Sequence, residues 1–215
     1  MLPDPEEEFG PGTYGSSFAD VYDDWYADVS DAERTAEFVN RFGPNQRVLE
    51  LGVGTGRLST AMAAAGHEVV GIDSSPEMLA RFDGATGAVA TGADMSVLPI
   101  RDGVCDLVLV ATNTLFNLTT ADAQLRCFTE ARRVTRLGGR FVVEAAVPGE
   151  PDPALDRLVT TRAISIDRVV LTATIRHEPA QTIRGQHIEI TEDGIRLRPW
   201  MVRFAAPAEL DRFAE

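Results

Sequence analysis

The chain is poor in cysteine, in histidine and in long hydrophobic runs. It has two cysteines and three histidines in 215 residues. Cys105 and Cys127 lie far apart in apolar surroundings, which favours reduced core thiols in a cytoplasmic protein over a disulfide or a metal pair. No group of His, Cys and carboxylate residues has ligand spacing, so no metal site is predicted. The longest stretch without charge, residues 107–121, is too short to span a bilayer.

The chain also has fewer basic residues than acidic ones. Twenty Lys plus Arg stand against 33 Asp plus Glu, which gives a formal charge of -13. Such a surface repels phosphate backbones and acidic lipid headgroups, so neither a nucleic acid nor a membrane is the expected partner. An uncharged or cationic small molecule is the better expectation. The first eight residues are acidic and proline-rich, unlike a secretory signal, and a cytoplasmic location is predicted.

The hydrophobic pattern predicts a single domain of the α/β class. Residues 1–45 are predicted to begin with a loose arm, which ends at residue 16. An aromatic helix over residues 18–26 follows, and then a second helix that starts with a capping box at Ser30. In residues 46–148, short apolar runs alternate with helical stretches, which is typical of a doubly wound, mostly parallel sheet with a Rossmann-like fold. The five runs are 48–51, 69–72, 88–91, 107–110 and 141–147.

The pattern changes after residue 148. Beyond residue 164 the chain alternates with period two. Residues 149–206 are therefore predicted to form an antiparallel appendage of about three strands, with a bulge or bend where the apolar parity shifts at Pro199. A final helix is predicted to start at Pro207, within residues 207–215.

A glycine-rich segment follows the first predicted strand. Gly52, Gly54 and Gly56 alternate directly after Glu50, at a strand-to-helix turn where free N–H groups can meet a ligand. The second strand ends at Asp73, which is placed to hold two ribose hydroxyls. A dinucleotide site would have the spacing G-x-G-x-x-G, so the observed G-x-G-x-G disfavours a nicotinamide oxidoreductase without removing that alternative.

From residue 47 to about residue 147 the chain resembles the class I S-adenosylmethionine-dependent methyltransferases. The resemblance implies a cofactor site in which the glycine segment holds the methionine part, Asp73 the ribose, and later residues the adenine. The residues it assigns to S-adenosylmethionine are Glu50, Gly52, Gly54, Gly56, Asp73, Ser74, Met78, Asp94, Met95 and Ala111. The N-terminal segment would correspond to a lid, with Tyr14 and Tyr22 as further cofactor contacts.

The resemblance also suggests where an acceptor would lie. Asn113 and Phe116 follow the fourth strand at the sheet edge where such folds bind ligands. His177 has the same strand parity as the apolar residues 169–175, whereas His187 has the opposite parity to its apolar neighbours. His177 is therefore predicted to line the acceptor pocket, and it is the weak candidate for a catalytic base.

The chain more weakly resembles small-molecule enzymes of this family, including amino-sugar N-methyltransferases. N- or O-methylation of a small-molecule acceptor is therefore expected, and a non-catalytic cofactor-binding domain is the second alternative. We expect a parallel sheet ordered 3-2-1-4-5 without the family's usual terminal strand pair. The fifth strand would then have an open edge, which suggests a fragment, cover by the appendage, or a homodimer.

Overall fold

The structure is a computed structural model that describes residues 9–10, 12–26, 32–84 and 87–215. Residues 1–8 of the predicted arm and the capping residue Ser30 lie outside this range. Within it, the arm is shorter than predicted, because a helix already begins at Thr13.

The first sheet has five parallel strands in the predicted order β3-β2-β1-β4-β5. The strands are β1 (Arg47–Leu51), β2 (Glu68–Asp73), β3 (Val89–Gly92), β4 (Cys105–Val110) and β5 (Thr135–Val143). Strand β5 begins earlier and ends earlier than its apolar run suggested. Among the described residues no strand pairs with the outer edge of β5, as expected.

Two of the described helices that accompany this sheet begin at a side-chain cap. The described α-helices are α1 (Thr13–Phe18), α2 (Tyr22–Tyr26), α3 (Ala32–Asn40), α4 (Arg57–Ala64), α5 (Pro76–Leu79), α6 (Ala121–Val134) and α7 (Pro207–Ala214). The hydroxyls of Ser75 and Thr120 accept from the N–H groups of Met78 and Ala123, which caps α5 and α6. None of the described helices is long and apolar enough to cross a membrane.

The prediction of one helix over residues 18–26 is wrong. The chain turns after α1 and restarts as α2, so that the aromatic residues of both helices pack around the fully buried Phe18. Helical spacing alone cannot distinguish this cluster from a continuous stripe.

Strand β4 shows why the parallel sheet lies at the centre. All six of its residues are buried. Leu107 and Leu109 belong to the hydrophobic cluster on one face, and Val108 and Val110 to the cluster on the other. A strand covered on both faces needs a continuous apolar run, which is what the sequence shows.

The second sheet is antiparallel and has four strands rather than about three. They are β6 (Arg157–Ile164), β7 (Arg168–His177), β8 (Thr182–Thr191) and β9 (Gly194–Arg203), paired in that order. Strand β6 has mostly exposed residues, so its alternation is weak in the sequence. The predicted bulge at Pro199 is absent, because β8 and β9 pair without interruption and the proline lies in an edge strand, where the lost N–H costs little.

Two buried arginines connect the second sheet to the rest of the chain. Arg203 donates to the side chains of Gln124, Gln181 and Glu209. Arg198, whose side chain is 2% exposed, pairs with Asp20 after α1. These contacts position β8 and β9 against the N-terminal helices and the carboxyl end of the parallel sheet.

Candidate functional site

The turn after β1 has backbone angles that favour glycine. Gly52, Gly54 and Gly56 have φ angles of 73°, 57° and 92°, in the left-handed region that favours glycine. A Cβ at Gly52 would lie 2.2 Å from the Thr114 Cγ2, so the close approach also requires glycine. Contrary to the prediction from the sequence, the N–H groups of these glycines are not free: those of Gly52 and Gly56 donate to the carbonyls of Ile72 and Val53, and that of Gly54 donates to the Asp73 carboxylate.

Asp73 lies at the end of β2, beside this turn. Its carboxylate accepts from the N–H of Gly54 and from the N–H of Ser75, each at 2.8 Å. Burial raises the pKa of this carboxyl, while these backbone hydrogen bonds lower it. The two donors fix the orientation of the carboxylate and leave further lone pairs for a ligand.

Glu50 lies behind the glycine turn rather than at its surface. It is 3% exposed and accepts a short hydrogen bond from the Ser59 hydroxyl. Burial raises the pKa of Glu50 to about 7. The contact ties β1 to α4, so the structure places Glu50 where it supports the turn.

A cleft opens above the glycine turn and brings together most of the predicted cofactor residues. Its lining comprises Tyr14, Gly15, Tyr22, Gly52, Gly54, Ile72, Asp73, Ser74, Met78, Ala93, Asp94, Met95, Thr114, Asn117 and Leu118. Glu50, Gly56 and Ala111 were also predicted but do not line it. Gly15, Thr114 and Asn117 were missed, because only the folded chain brings α1 and the segment after β4 to this turn.

A second cavity, of about 410 Å³, adjoins the cleft. It lies between the carboxyl end of β4, the N-terminal helices and one face of the antiparallel sheet. Its lining comprises Tyr14, Tyr22, Tyr26, Arg57, Thr112, Asn113, Thr114, Phe116, Asn117, Ala146, Pro148, Arg162, Arg176, Ile183, His187, Trp200, Val202 and Phe204. The cleft and the second cavity share four lining residues, which are Tyr14, Tyr22, Thr114 and Asn117. The two spaces therefore meet at these side chains.

The tyrosines at this boundary are held in place. The Tyr14 hydroxyl donates to the Tyr26 hydroxyl at 3.1 Å, which links α1 to α2. Burial raises the pKa values of Tyr14 and Tyr22, so both phenols stay protonated near neutral pH. That Tyr14 and Tyr22 form a lid over the cofactor stays a prediction.

Asn113 and Phe116 line the second cavity as predicted. Thr112 and Asn113 have φ angles of 52° and 64°, a strained conformation for a β-branched residue. Glu144 holds this turn, since its carboxylate accepts from the N–H of Thr112 and its carbonyl from the N–H of Asn113, both at 3.1 Å. Strain of this kind is typical of functional sites.

The expectation for His177 is wrong, and His187 takes its place. His177 is exposed at the end of β7 and lines neither space, whereas His187 is 5% exposed and lines the second cavity. The prediction for His177 requires that the apolar residues 169–175 face the protein. Ile175 is instead 53% exposed, so that apolar face points away from the cavity.

His187 is oriented by its neighbours. Its Nδ1 atom is 2.8 Å from the Thr172 hydroxyl, and its ring meets those of Phe18 and Trp25 edge to face. Burial, with Arg162 nearby, lowers the pKa of His187 to about 4. The imidazole is therefore neutral at physiological pH.

The comparisons with known proteins agree with this geometry. A family model described as a methyltransferase domain matches residues 49–143. The CcbJ methyltransferase from Streptomyces caelestis superposes with a TM-score of 0.87 at 36% sequence identity, over 96% of this chain and 86% of that one. The chain belongs to the class I S-adenosylmethionine-dependent methyltransferases. Membership in this family removes the nicotinamide oxidoreductase alternative, and the family's cofactor is S-adenosylmethionine.

More distant methyltransferases share the fold or part of the sequence. CalS10 from Micromonospora echinaspora, an amino pentose methyltransferase, has a TM-score of 0.70 at 20% identity, over 90% of this chain and 86% of that one. Demethylmenaquinone methyltransferase from Beutenbergia cavernae is 37% identical over 101 residues, which are 46% of this chain. The chain spans only 40% of the length of that curated relative.

Proposed function

We propose that this protein transfers a methyl group from S-adenosylmethionine to a nitrogen or oxygen atom of a small-molecule acceptor. The observation that carries the proposal is the pair of adjoining spaces, one above the glycine turn and Asp73, the other between the two sheets. A cofactor-binding domain without catalysis would need only the first space. The second gives an acceptor a place beside the cofactor, which favours an enzyme.

The residues of the cleft fit the cofactor. The left-handed Gly52 and Gly54 line the cleft and leave room for a ligand above the turn, and Asp73 is oriented to accept from two ribose hydroxyls. Asp94 and Met95 also line the cleft, and the family resemblance assigns them to the adenine. The bound cofactor supplies a methyl group that its sulfonium already makes electrophilic, so the protein mainly has to align the partners and exclude water.

The second cavity would orient the acceptor. Its aromatic walls, among them Tyr22 and Trp200, hold an apolar body and exclude water. His187 uses Nδ1 for Thr172, which leaves Nε2 for a hydrogen bond with the acceptor. Because its pKa is about 4, His187 would orient the nucleophile more than it would take up its proton.

Calorimetry with S-adenosylhomocysteine tests the cofactor site. We expect wild-type protein to bind it, and Asp73→Ala to lose about 1–3 kcal/mol of affinity because two ribose hydroxyls lose a charged partner. Asp122→Ala is the matched control, since Asp122 is exposed in the first turn of α6 and does not line the cleft. Equal affinity in both variants would remove Asp73 from the site.

Catalysis is tested separately by release of S-adenosylhomocysteine from S-adenosylmethionine in the presence of small amines and phenols. Turnover that depends on Asp73 supports the enzyme. Binding without turnover of any member of a broad panel, or labelling of bulk tRNA or DNA, would count against a small-molecule methyltransferase.

A further inference from the structure

The second cavity carries charge of the opposite sign to the whole molecule. The chain has a formal charge of -13, yet three arginines line this cavity. Within the described part of the chain, no Asp or Glu lines it. The expectation of an uncharged or cationic acceptor used the net charge, which does not describe this local surface. A positive cavity in an acidic protein needs a specific explanation.

The arginines differ in how their charge is used. Arg176 pairs with Glu178 and lies over the Phe204 ring, with the Cζ atom 4.3 Å from the centroid. On the same sheet the buried Arg198 pairs with Asp20 and Glu189. Arg162 has no carboxylate within ion-pair distance among the residues that the structure describes. Its charge is therefore available to a ligand.

Arg162 is nevertheless held in one orientation. Its guanidinium lies over two rings, with the Cζ atom 5.1 Å from the Trp25 centroid and 4.8 Å from the Tyr26 centroid. One terminal nitrogen donates to the Trp25 carbonyl at 3.2 Å. The residue lies at the register shift of β6, between Thr161 and Ala163, a feature that often re-aims a side chain.

We propose that Arg162 binds an anionic group, a carboxylate or a phosphate, that the methyl acceptor carries. The inference rests on the proposed function, since it names the class of substrate for the second cavity. A guanidinium has five N–H donors in a planar fork, and a carboxylate or phosphate accepts two of them at once. Stacking on Trp25 and Tyr26 orients the fork in advance, so little conformational freedom is lost when the anion binds.

The two tryptophans of the chain make this site easy to observe. Trp25 lies under Arg162 and Trp200 lines the cavity, and the sequence has no other tryptophan. Protein saturated with S-adenosylhomocysteine is titrated at low salt with three probes that do not absorb in the near ultraviolet. They are cyclohexanecarboxylate, cyclohexyl phosphate and the neutral cyclohexanecarboxamide, with tryptophan fluorescence as the readout.

We expect at least one of the anions to bind wild-type protein about tenfold or more tightly than the amide. Arg162→Gln should abolish this preference, and Arg162→Lys, which keeps the charge without the fork, should retain only part of it. Arg157→Gln is the matched control, because Arg157 lies on the same strand, is exposed and lines a groove that does not include the second cavity. It should bind as wild type.

Several outcomes separate the possibilities. A preference for one anion alone supports the proposal and tells whether the group is a carboxylate or a phosphate. Equal binding of all three probes to wild-type protein, or an anion preference that survives in Arg162→Gln, overturns it. Each variant is first titrated with S-adenosylhomocysteine to show that it is folded. Failure of the wild type to bind S-adenosylhomocysteine would instead overturn the proposed function.

Discussion

The two sheets build their halves of the site in different ways. The parallel sheet contributes mainly backbone and short-range contacts, as in the hydrogen bond from the Gly54 N–H to Asp73. The antiparallel sheet contributes side chains that line the second cavity, such as Arg162 and His187. One half is a turn with an adjacent carboxylate, and the other is a wall set by strand register.

The methyltransferase family model covers only the first of these two regions. The residues matched by the methyltransferase family model, 49–143, contain the glycine turn and Asp73 but none of the antiparallel sheet. If the second cavity takes the acceptor, as proposed above, variants in the antiparallel sheet should change the choice of acceptor and leave cofactor binding unchanged.

The contact that joins the two halves should give the largest effect on stability. Arg198 is 2% exposed and pairs with both Asp20 and Glu189. Arg198→Met would leave both carboxylates without this partner, and we expect the free energy of unfolding to fall by about 3 kcal/mol, measured by urea denaturation. This loss is at the low end for a broken buried pair, because the Asp20 side chain is 34% exposed.

Arg196→Met is the matched control, since Arg196 pairs with the same Asp20 at 2.7 Å but is 59% exposed. Its loss should cost less than about 1 kcal/mol. If the two substitutions destabilise the protein equally, the buried pair is not what holds the second sheet against α1.

Gly185→Ala should damage the acceptor half and spare the cofactor half. A Cβ at Gly185 would lie 2.0 Å from two ring atoms of Trp200, which forms part of the cavity wall. We expect a loss of stability of about 2 kcal/mol from overpacking, measured by denaturation. The affinity for S-adenosylhomocysteine should stay within about twofold, because Gly185 does not line the cleft.

Two further variants check the cause. Gly149→Ala adds a methyl group with nothing within 4 Å and should leave stability unchanged. Replacing Trp200 by leucine in the Gly185→Ala background should recover part of the loss. If that double variant is no better than the single one, the clash with Trp200 is not the reason.

The sequence predicted the parallel sheet well and the antiparallel sheet less well. Strands such as β4 are buried on both faces, so their apolar runs stand out whatever surrounds them. None of the residues of strand β6 is buried, and the sequence pattern did not predict this strand. The helix break after Phe18 was missed too, because a turn that packs aromatics together leaves the helical spacing intact.

The same contrast holds for the candidate site. Asp73, Gly52 and Gly54 could be named because the motif places them within one strand-turn-helix unit and the end of the next strand. His187 could not be chosen over His177, because the choice depends on which face of the second sheet meets the N-terminal helices. That is decided by contacts distant in sequence, such as the one between Arg198 and Asp20.

The smallest effect that we predict concerns the charge state of His187. With three histidines in the chain, NMR can follow each imidazole separately. We expect His187 to remain neutral through pH 5 and to titrate at about 4, because it is buried and lies near Arg162. Since an unfolded imidazole titrates near 6.5, the unfolded state takes up the proton first. His187 thus contributes stability that is present above pH 6.5 and is lost as the pH falls towards 4.

Removing the nearby cation should weaken this effect. In Arg162→Gln the pKa of His187 should move upward towards its ordinary value, while in Arg157→Gln it should stay as in the wild type. The shift should be a minor part of the total, because burial is the larger cause. A wild-type His187 that titrates near 6.5 would mean that burial does not control this residue. A His187 pKa that stays the same in Arg162→Gln would mean that Arg162 makes no contribution to it.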